Sequence, residues 1–481
     1  MEYPGSEFDD VWRQLTFPDD HVNPETRSRY HIVVIGAGSA GLISAIGAAG
    51  LGARVALVER EAMGGDCLNI GCVPSKSLLE YTRRRESPVS FDDAYRWLRQ
   101  VRSEISAHDS VERYTNNGVD VFLGNARLED AGTVAVGESR LEARRIVIAT
   151  GARAALPPIP GLSDVEPLTN ESLFDLRTPP STLAILGAGA IGCEMAQAFS
   201  RLGVDVQLFE MADRVLPLEE EEASKAIESA LKQASVTLHL NAAVTKASRN
   251  ADGVTLHTDG LQIAADEVLV AAGRRANVED LGLEAAGVAV ENGLIKVDPR
   301  MRTTNKRIFA AGDVCSRAQF THNADAQARI VVQNALFAPT ASTSKLVIPH
   351  CTYTKPEVAH VGRGRRDLAA DKTDYDVYRV NIGELDRSRT SGDAEGYVEV
   401  LTKKGRDDIL GATIVAQDAG EQIAGLCLAM AHGIGLAGLG KAILPYPTRA
   451  EYLRRLADAY NRTRLTDRTK HLMSRWFRWS A

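Results

Sequence analysis

His31-Ile-Val-Val-Ile-Gly-Ala-Gly-Ser-Ala-Gly41 is an apolar run that breaks on three glycines. It reads as a buried strand, a tight Gly-x-Gly-x-x-Gly turn and the start of a helix. A second strand over residues 54–58 ends in Glu59, eighteen residues after Gly41. Together these form a dinucleotide-binding fingerprint. Gly36 makes the turn, Gly38 lets a pyrophosphate approach the backbone, and Gly41 allows the helix to pack close to the strand. The helix N-terminus offers free N–H groups and the positive end of its dipole to the phosphates. Glu59 is placed to accept a hydrogen bond from a ribose hydroxyl.

The pattern recurs at residues 182–192, with Gly187, Gly189 and Gly192, and a following strand over 205–209 ends in Glu210, again eighteen residues on. Two fingerprints imply two dinucleotides. A carboxylate at 210 favours a free 2′-hydroxyl over a 2′-phosphate, so NADH is expected over NADPH, although Arg214 close by could meet a phosphate. Two further strands close on similar turns, one at Thr150-Gly151 and one at Gly273-Arg274-Arg275. A strand over 307–311 ends in Gly312-Asp313, where a carboxylate can bond the sugar-like chain of a flavin.

Between the fingerprints, residues 64–78 read Gly-Gly-Asp-Cys-Leu-Asn-Ile-Gly-Cys-Val-Pro-Ser-Lys-Ser-Leu. On a regular helix Cys67 and Cys72 would have Cα atoms about 8–9 Å apart, whereas a disulfide needs about 4.4–6.8 Å. A bond therefore requires an irregular turn, which Asn69 and Gly71 permit. Strained disulfides are readily reduced and tend to be catalytic. The plainer alternative is two free buried thiols. The other cysteines, at 193, 315, 351 and 427, stand singly among small or apolar residues and read as core.

With 481 residues and a net charge of -7, the chain fits two to four globular domains and argues against general nucleic-acid binding. Cysteine is too sparse for a secreted disulfide scaffold, which points to a reducing, cytoplasmic setting. Residues 32–53 carry no charge but hold six glycines, so a strand–turn–helix is expected there rather than a membrane span. Residues 1–30 are polar, lack a signal-peptide pattern and read as an irregular extension, with Val11, Trp12, Leu15 and Phe17 available to dock it. From residue 346 alternating strands and a helix suggest a separate α+β domain. The stretch 452–481 carries eight Lys/Arg against two Asp, together with Trp476, Phe477 and Trp479. A helix packing those aromatics on its own protein is expected there, ahead of contact with a membrane surface.

These residues resemble the class I pyridine nucleotide–disulfide oxidoreductases, the group of dihydrolipoamide dehydrogenase, glutathione reductase and mercuric reductase. The resemblance runs from about residue 30 to 465 and is most specific at Cys67, Cys72 and Pro74-Ser75-Lys76. It implies an α/β fold of two Rossmann-like domains, for FAD and NAD(P), plus a C-terminal α+β dimerisation domain. The corresponding division is 1–30 extension, 31–160 FAD domain, 161–279 NAD(P) domain, 280–345 FAD-domain return, 346–465 interface domain and 466–481 tail. Gly36, Gly38, Gly41, Glu59, Thr150, Gly151, Gly312 and Asp313 would serve FAD. Gly187, Gly189, Gly192, Glu210 and Gly273 would serve the nicotinamide nucleotide. Lys76 would pair with Glu194 beside the flavin, Cys72 would face the flavin, and Cys67 would be the exchange thiol.

The resemblance implies electron flow from NAD(P)H through FAD to the Cys67/Cys72 disulfide in a homodimer that shares its active sites across the interface. At the C-terminus the disulfide reductases carry a His-Pro whose imidazole is the acid–base for thiol exchange. Here Tyr446-Pro447 stands in its place, followed by Thr448 and Glu451. A phenol with a pKa near 10 is a poor replacement for an imidazole near 6.5. Tyrosine at this position is a mercuric-reductase feature, so a soft metal ion such as Hg(II) is the expected acceptor, met by Cys67, Cys72 and Tyr446, with no permanent metal site. Two other mercuric-reductase features are missing: an N-terminal Cys-x-x-Cys domain and a C-terminal cysteine pair. Reduction of a disulfide, lipoamide or quinone is the alternative, and an FAD- and NADH-binding redox sensor or scaffold is a third.

Overall fold

Residues 32–35 show no alternation because both faces of their strand are covered: Ile32, Val33 and Val34 are fully buried. The computed structural model describes residues 6–85, 88–251 and 253–480. Strands β1 (Tyr30–Ile35), β2 (Val55–Glu59), β3 (Val119–Leu123), β4 (Ala126–Leu128), β5 (Thr133–Val136) and β6 (Ser139–Ile148) lie in the order β3-β2-β1-β6-β5-β4. β1, β2, β3 and β6 pair in parallel, with Ile35 opposite Val58 and Ile148. The distant strand Ile308–Ala310 joins the same sheet alongside β6. It delivers Gly312 and Asp313 to the carboxyl ends of β1 and β6, where ligands bind in open α/β sheets.

The second fingerprint opens a smaller parallel sheet. Its strands are Thr237–His239, Asp205–Phe209, Thr182–Leu186 and Glu267–Val270, in that order. The two similar strand–turn closures, near 150 and 273, lead into strands Ala152–Ala154 and Arg274–Ala276, which pair with each other antiparallel. Thr150 Oγ1 donates to the Asn277 carbonyl (2.8 Å), and Asn277 Nδ2 returns a bond to the Thr150 carbonyl (2.8 Å). These elements belong to one of two compact units, made of residues 1–188, 195–211 and 235–344.

The other unit comprises residues 189–194, 212–234 and 345–481. Five antiparallel strands form its sheet, in the order Pro349–Thr352, Glu357–Gly362, Ile409–Ala416, Tyr397–Lys403 and Tyr375–Asn381. Helices Ala424–Ala431 and Glu451–Thr463 contribute Leu426, Tyr452 and Leu456 to its core. Of the cysteines read as core, Cys193 is fully buried, while Cys315, Cys351 and Cys427 are half-buried at the edges of the cores.

Two expectations need correction. The N-terminal extension is not irregular: α1 (Glu7–Thr16) is a helix with a capping box, in which Ser6 and Asp9 exchange hydrogen bonds. It docks through Trp12, which is buried, whereas Val11 is exposed. The tail also forms a helix, Asp467–Ser480, but none of its residues is buried, so its aromatics do not pack on the protein as expected. Its apolar side chains lie on one side of a helix that presents no buried face. Among the described residues no helix is long and apolar enough to cross a membrane.

Three short helices bring the cysteine stretch to the first fingerprint: α2 (Ser39–Gly50), α3 (Gly65–Asn69) and α4 (Cys72–Arg83). The Gly64 N–H donates to the Ala37 carbonyl (2.9 Å). Gly65, at φ +57, lies so close that a Cβ on it would fall 2.5 Å from the Gly38 Cα. Two backbones touch here with no room for a side chain. Gly65→Ala should therefore lower the unfolding free energy by about 1–3 kcal/mol in denaturant melts. Gly50→Ala, whose added Cβ meets nothing within 4 Å, should be neutral or raise it by about 0.5–1 kcal/mol.

Candidate active site

The glycines of the first fingerprint are demanded by space as well as by conformation. Gly36 sits at φ +98, and a Cβ on Gly41 would lie 1.8 Å from the Gly36 carbonyl oxygen. Helix α2 starts at Gly38 with no side-chain cap and no acidic residue in its first turn, so its leading N–H groups face outward unopposed. That is an anion cradle, and it fits the pyrophosphate of FAD.

Glu59 does more than the sequence suggested. One carboxylate oxygen accepts from the Ala37 N–H (2.6 Å), and the other accepts from Arg60 (2.8 Å) and Glu61 (2.9 Å). Burial raises its pKa, and the three backbone bonds oppose that rise. The second fingerprint repeats the device: Glu210 accepts from the Ala188 N–H (2.8 Å), and Gly187 sits at φ +103 with its missing Cβ 2.7 Å from the Ala271 carbonyl. Each acid therefore ties down the residue between the first two glycines. Gly189 and Gly192 follow, and the helix Ala190–Arg201 begins there.

Cys67 lies on α3 and Cys72 opens α4, with the chain turning sharply between them. Gly71 is required at that turn because a Cβ would stand 2.7 Å from the Asp66 carbonyl. Both cysteines are present as thiols, Cys67 half-buried and Cys72 exposed. A hydrogen bond with Cys72, then burial, hold the Cys67 thiol well above its ordinary pKa, and Asp109 adds to the rise. Two sulfurs in hydrogen-bonding contact are positioned to join. Thr321 Oγ1 lies 3.6 Å from the Cys72 sulfur.

Asn69, between the cysteines, engages both ends of its side-chain amide and its backbone carbonyl. Its Oδ1 accepts from Trp12 Nε1 (2.8 Å), and its Nδ2 donates to the carbonyls of Ala62 and Met63 (3.2 Å each). Its own carbonyl accepts from Arg102 Nη1 (3.1 Å), on helix α5 (Phe91–Ser106). Arg102 also bonds Asp9 of α1 (2.8 Å, both buried) and lies 4.2 Å over the Trp12 ring. The cysteine loop is thus braced by the N-terminal helix. The sequence reading missed Asn69, Trp12 and Arg102 as a group, because their contacts link distant parts of the chain.

Arg274 is a second omission. Its guanidinium bonds Asp66, next to Cys67, donates to the Ala152 carbonyl (2.7 Å) and lies 3.7 Å from Asp313. Burial pushes the Asp313 carboxyl up to about 6, with Arg274 opposing and with Asp66 and Cys72 contributing. Gly312, at φ +83, donates its N–H to Gln327 (2.8 Å), and a Cβ on it would lie 3.4 Å from Ala40 at the start of α2. The phosphate cradle, Gly312-Asp313 and Cys72 are therefore brought together.

The remaining candidates are described each in its own unit. Lys76 lies half-buried on α4 in one unit, and Glu194 is buried in the other, where it accepts from the Tyr353 N–H (2.9 Å). Tyr446 is 71 % exposed, and its hydroxyl donates to Asp386 (2.6 Å). That bond raises the phenol pKa. Glu451 pairs with Arg455 (2.8 Å). Among the described residues no cluster of three or more His, Cys, Asp or Glu could hold a metal ion.

Residues 30–328 match the model of the pyridine nucleotide-disulphide oxidoreductase family, and residues 348–457 match its dimerisation domain. A mercuric reductase from Bacillus cereus is 32% identical over 460 residues, covering 91% of this chain and 72% of that protein. Dihydrolipoyl dehydrogenase 3 from Pseudomonas aeruginosa is 34% identical over 469 residues, covering 90% and 98%. Among solved structures, the Cu(II) complex of the HOCl-induced flavoprotein disulfide reductase RclA from Escherichia coli superposes with a TM-score of 0.82 at 30% identity, covering 90% of this chain and 100% of that one.

Two outcomes test this geometry. Trp12→Phe keeps the ring but deletes the donor to Asn69, a loss of about 1–2 kcal/mol. With the whole of that bond favouring the closed loop, the Cys67/Cys72 disulfide should become easier to reduce by about 20–40 mV in a thiol redox titration. Asp313 binds its proton more tightly folded than unfolded, so its contribution to stability is full below about pH 4 and is lost as pH rises through about 6. Asp313→Asn should flatten that part of the pH–stability curve of the cofactor-stripped protein.

Proposed function

For this chain, which belongs to the pyridine nucleotide-disulphide oxidoreductase family, we propose that the acceptor beyond the two cysteines is a thiophilic metal ion. It is an NAD(P)H-dependent flavoprotein reductase, and its second family match is a dimerisation domain. FAD, when bound, supplies hydride acceptance from the nicotinamide and two-electron delivery onward. The chain's own part is to hold and to shield. The cradle at Gly36, Gly38 and Gly41 takes the pyrophosphate, Glu59 the ribose and Asp313 the ribitol, while Thr150 and Gly151 close the sheet edge beside them. Lys76, on α4 beside the cysteines, serves the isoalloxazine end of the site. Gly187, Gly189, Gly192, Glu210 and Gly273 hold the nicotinamide nucleotide.

Reduction of the Cys67/Cys72 disulfide takes up two electrons and two protons and yields two thiols. Binding a metal ion through both sulfurs releases the two protons, and thiolates prefer soft ions. The observation that carries this reading is Tyr446, whose phenol, bonded to Asp386, has its pKa raised and keeps its proton at neutral pH. It cannot act as the base that disulfide exchange needs. It can stand beside a sulfur-bound metal as a neutral oxygen donor, supplied by one protomer to its partner's cysteine pair. Among the relatives, the mercuric reductase by its name supports such an acceptor, while the dihydrolipoyl dehydrogenase and the disulfide reductase stand for the alternative. NADH is the preferred donor in this reading: Glu210 repels a 2′-phosphate, and Arg214 is turned onto the Pro217 carbonyl (3.3 Å). The reducing cytoplasm is the compartment that keeps the pair in its dithiol form.

Anaerobic titration with NADH and NADPH in parallel should show a half-saturation at least about tenfold lower for NADH, as a carboxylate facing a phosphate implies. Turnover with Hg(II) or Cu(II) should exceed turnover with lipoamide or glutathione disulfide. Cys67→Ser should lose metal turnover by at least about a hundredfold while flavin reduction by NADH persists. Faster turnover of a disulfide than of either metal, or a Cys67→Ser enzyme that still turns over metal, would overturn the assignment.

A further inference from the structure

We propose that the tail helix Asp467–Ser480 docks the enzyme on an anionic lipid surface. None of its residues is buried, and its large apolar side chains are open to solvent: Leu472 is 73% exposed, Trp476 59%, Phe477 64% and Trp479 78%. At 100° per residue, Leu472, Met473, Trp476, Phe477 and Trp479 fall on a single arc about 160° wide. Arg468 and Arg475 flank one edge of that arc and Lys470 flanks the other, with His471 and Arg478 on the opposite face. The single anion, Asp467, stands at the helix N-terminus, where the dipole favours it.

This distribution is that of a helix lying in a membrane interface. Trp and Phe enter the boundary between headgroups and acyl chains while Lys and Arg reach the phosphates. The rings of Trp476 and Trp479 meet at a tilt of 52°, with centroids 5.3 Å apart. The helix is about 21 Å long, too short to span a bilayer. Charge argues for lipid as the occupant. The chain as a whole carries -7, yet this helix sets four Lys/Arg against one Asp. Such a helix is the part of an acidic protein that an anionic surface attracts. The dimerisation-domain match ends at residue 457, ahead of this helix. The proposal concerns where the enzyme works and is independent of its acceptor.

The test is sedimentation of the full-length holoenzyme with vesicles of phosphatidylcholine alone or mixed with phosphatidylglycerol. Binding to the anionic vesicles should be at least about tenfold stronger, weaken as salt rises, and shift the tryptophan emission to shorter wavelength. Two variants isolate the cause. Trp476→Ser with Trp479→Ser should abolish the emission shift and most binding, and Arg475→Glu with Arg478→Glu should abolish the preference for anionic lipid. Both should retain FAD and NADH oxidation. Equal binding to the two vesicle types, or binding unchanged in either variant, would overturn the proposal. So would a chain ending at residue 465 that becomes monomeric in light scattering, because the helix would then be a contact between protomers.

Discussion

One backbone-to-backbone contact ties the chemistry of this molecule to its cofactor cradle. Gly65 rests on Gly38 with no space between them for a methyl group, and the neighbouring Gly64 N–H closes onto the Ala37 carbonyl. The turn meant for a pyrophosphate and the loop that carries the cysteines are therefore parts of one packed object. A shift in either displaces the other, because close-packed interiors transmit displacement rather than absorb it. The same turn is pinned from below by Glu59 through the Ala37 N–H, so one three-residue stretch, Gly36-Ala37-Gly38, is held from two directions.

Around that contact the charges are arranged in a chain. Asp66, beside Cys67, meets Arg274, and Arg274 approaches Asp313, whose carboxyl is raised by burial. Arg274 arrives on the strand Arg274–Ala276, which pairs with Ala152–Ala154. The two strand–turn closures that look alike in sequence thus end as neighbours, and one of them carries the cation that faces the site. The acids of the two fingerprints act in parallel: each accepts the N–H between the first two glycines, and each keeps its turn in shape with the group that is also chemically suited to a ribose.

Much of this was legible because it is local. A buried strand, three glycines at fixed offsets and an acid eighteen residues on identify both nucleotide turns from residue types alone. Cys67 and Cys72 stand out for the same reason. What escaped was non-local. Trp12 and Asn69 are fifty-seven residues apart, and Arg274 and Asp66 are two hundred and eight apart. No periodicity joins either pair, and each acquires its role only through its partner. The N-terminal helix was misread as irregular because its capping signal is short and Trp12 is its one fully buried apolar residue. The tail was misread in the opposite sense: an amphipathic pattern announces an apolar face, but the pattern does not carry the identity of what covers it.

The brace from α1 has a mechanical side. Asp9 and Trp12 grip Arg102 and Asn69, and Asn69 sits between the two sulfurs. A pull or twist on the first turn of that helix is delivered, through two side chains, to the separation of the cysteines. An affinity tag or a fused domain placed ahead of Ser6 is therefore not a neutral appendage. It hangs on the lever that sets how easily the disulfide closes.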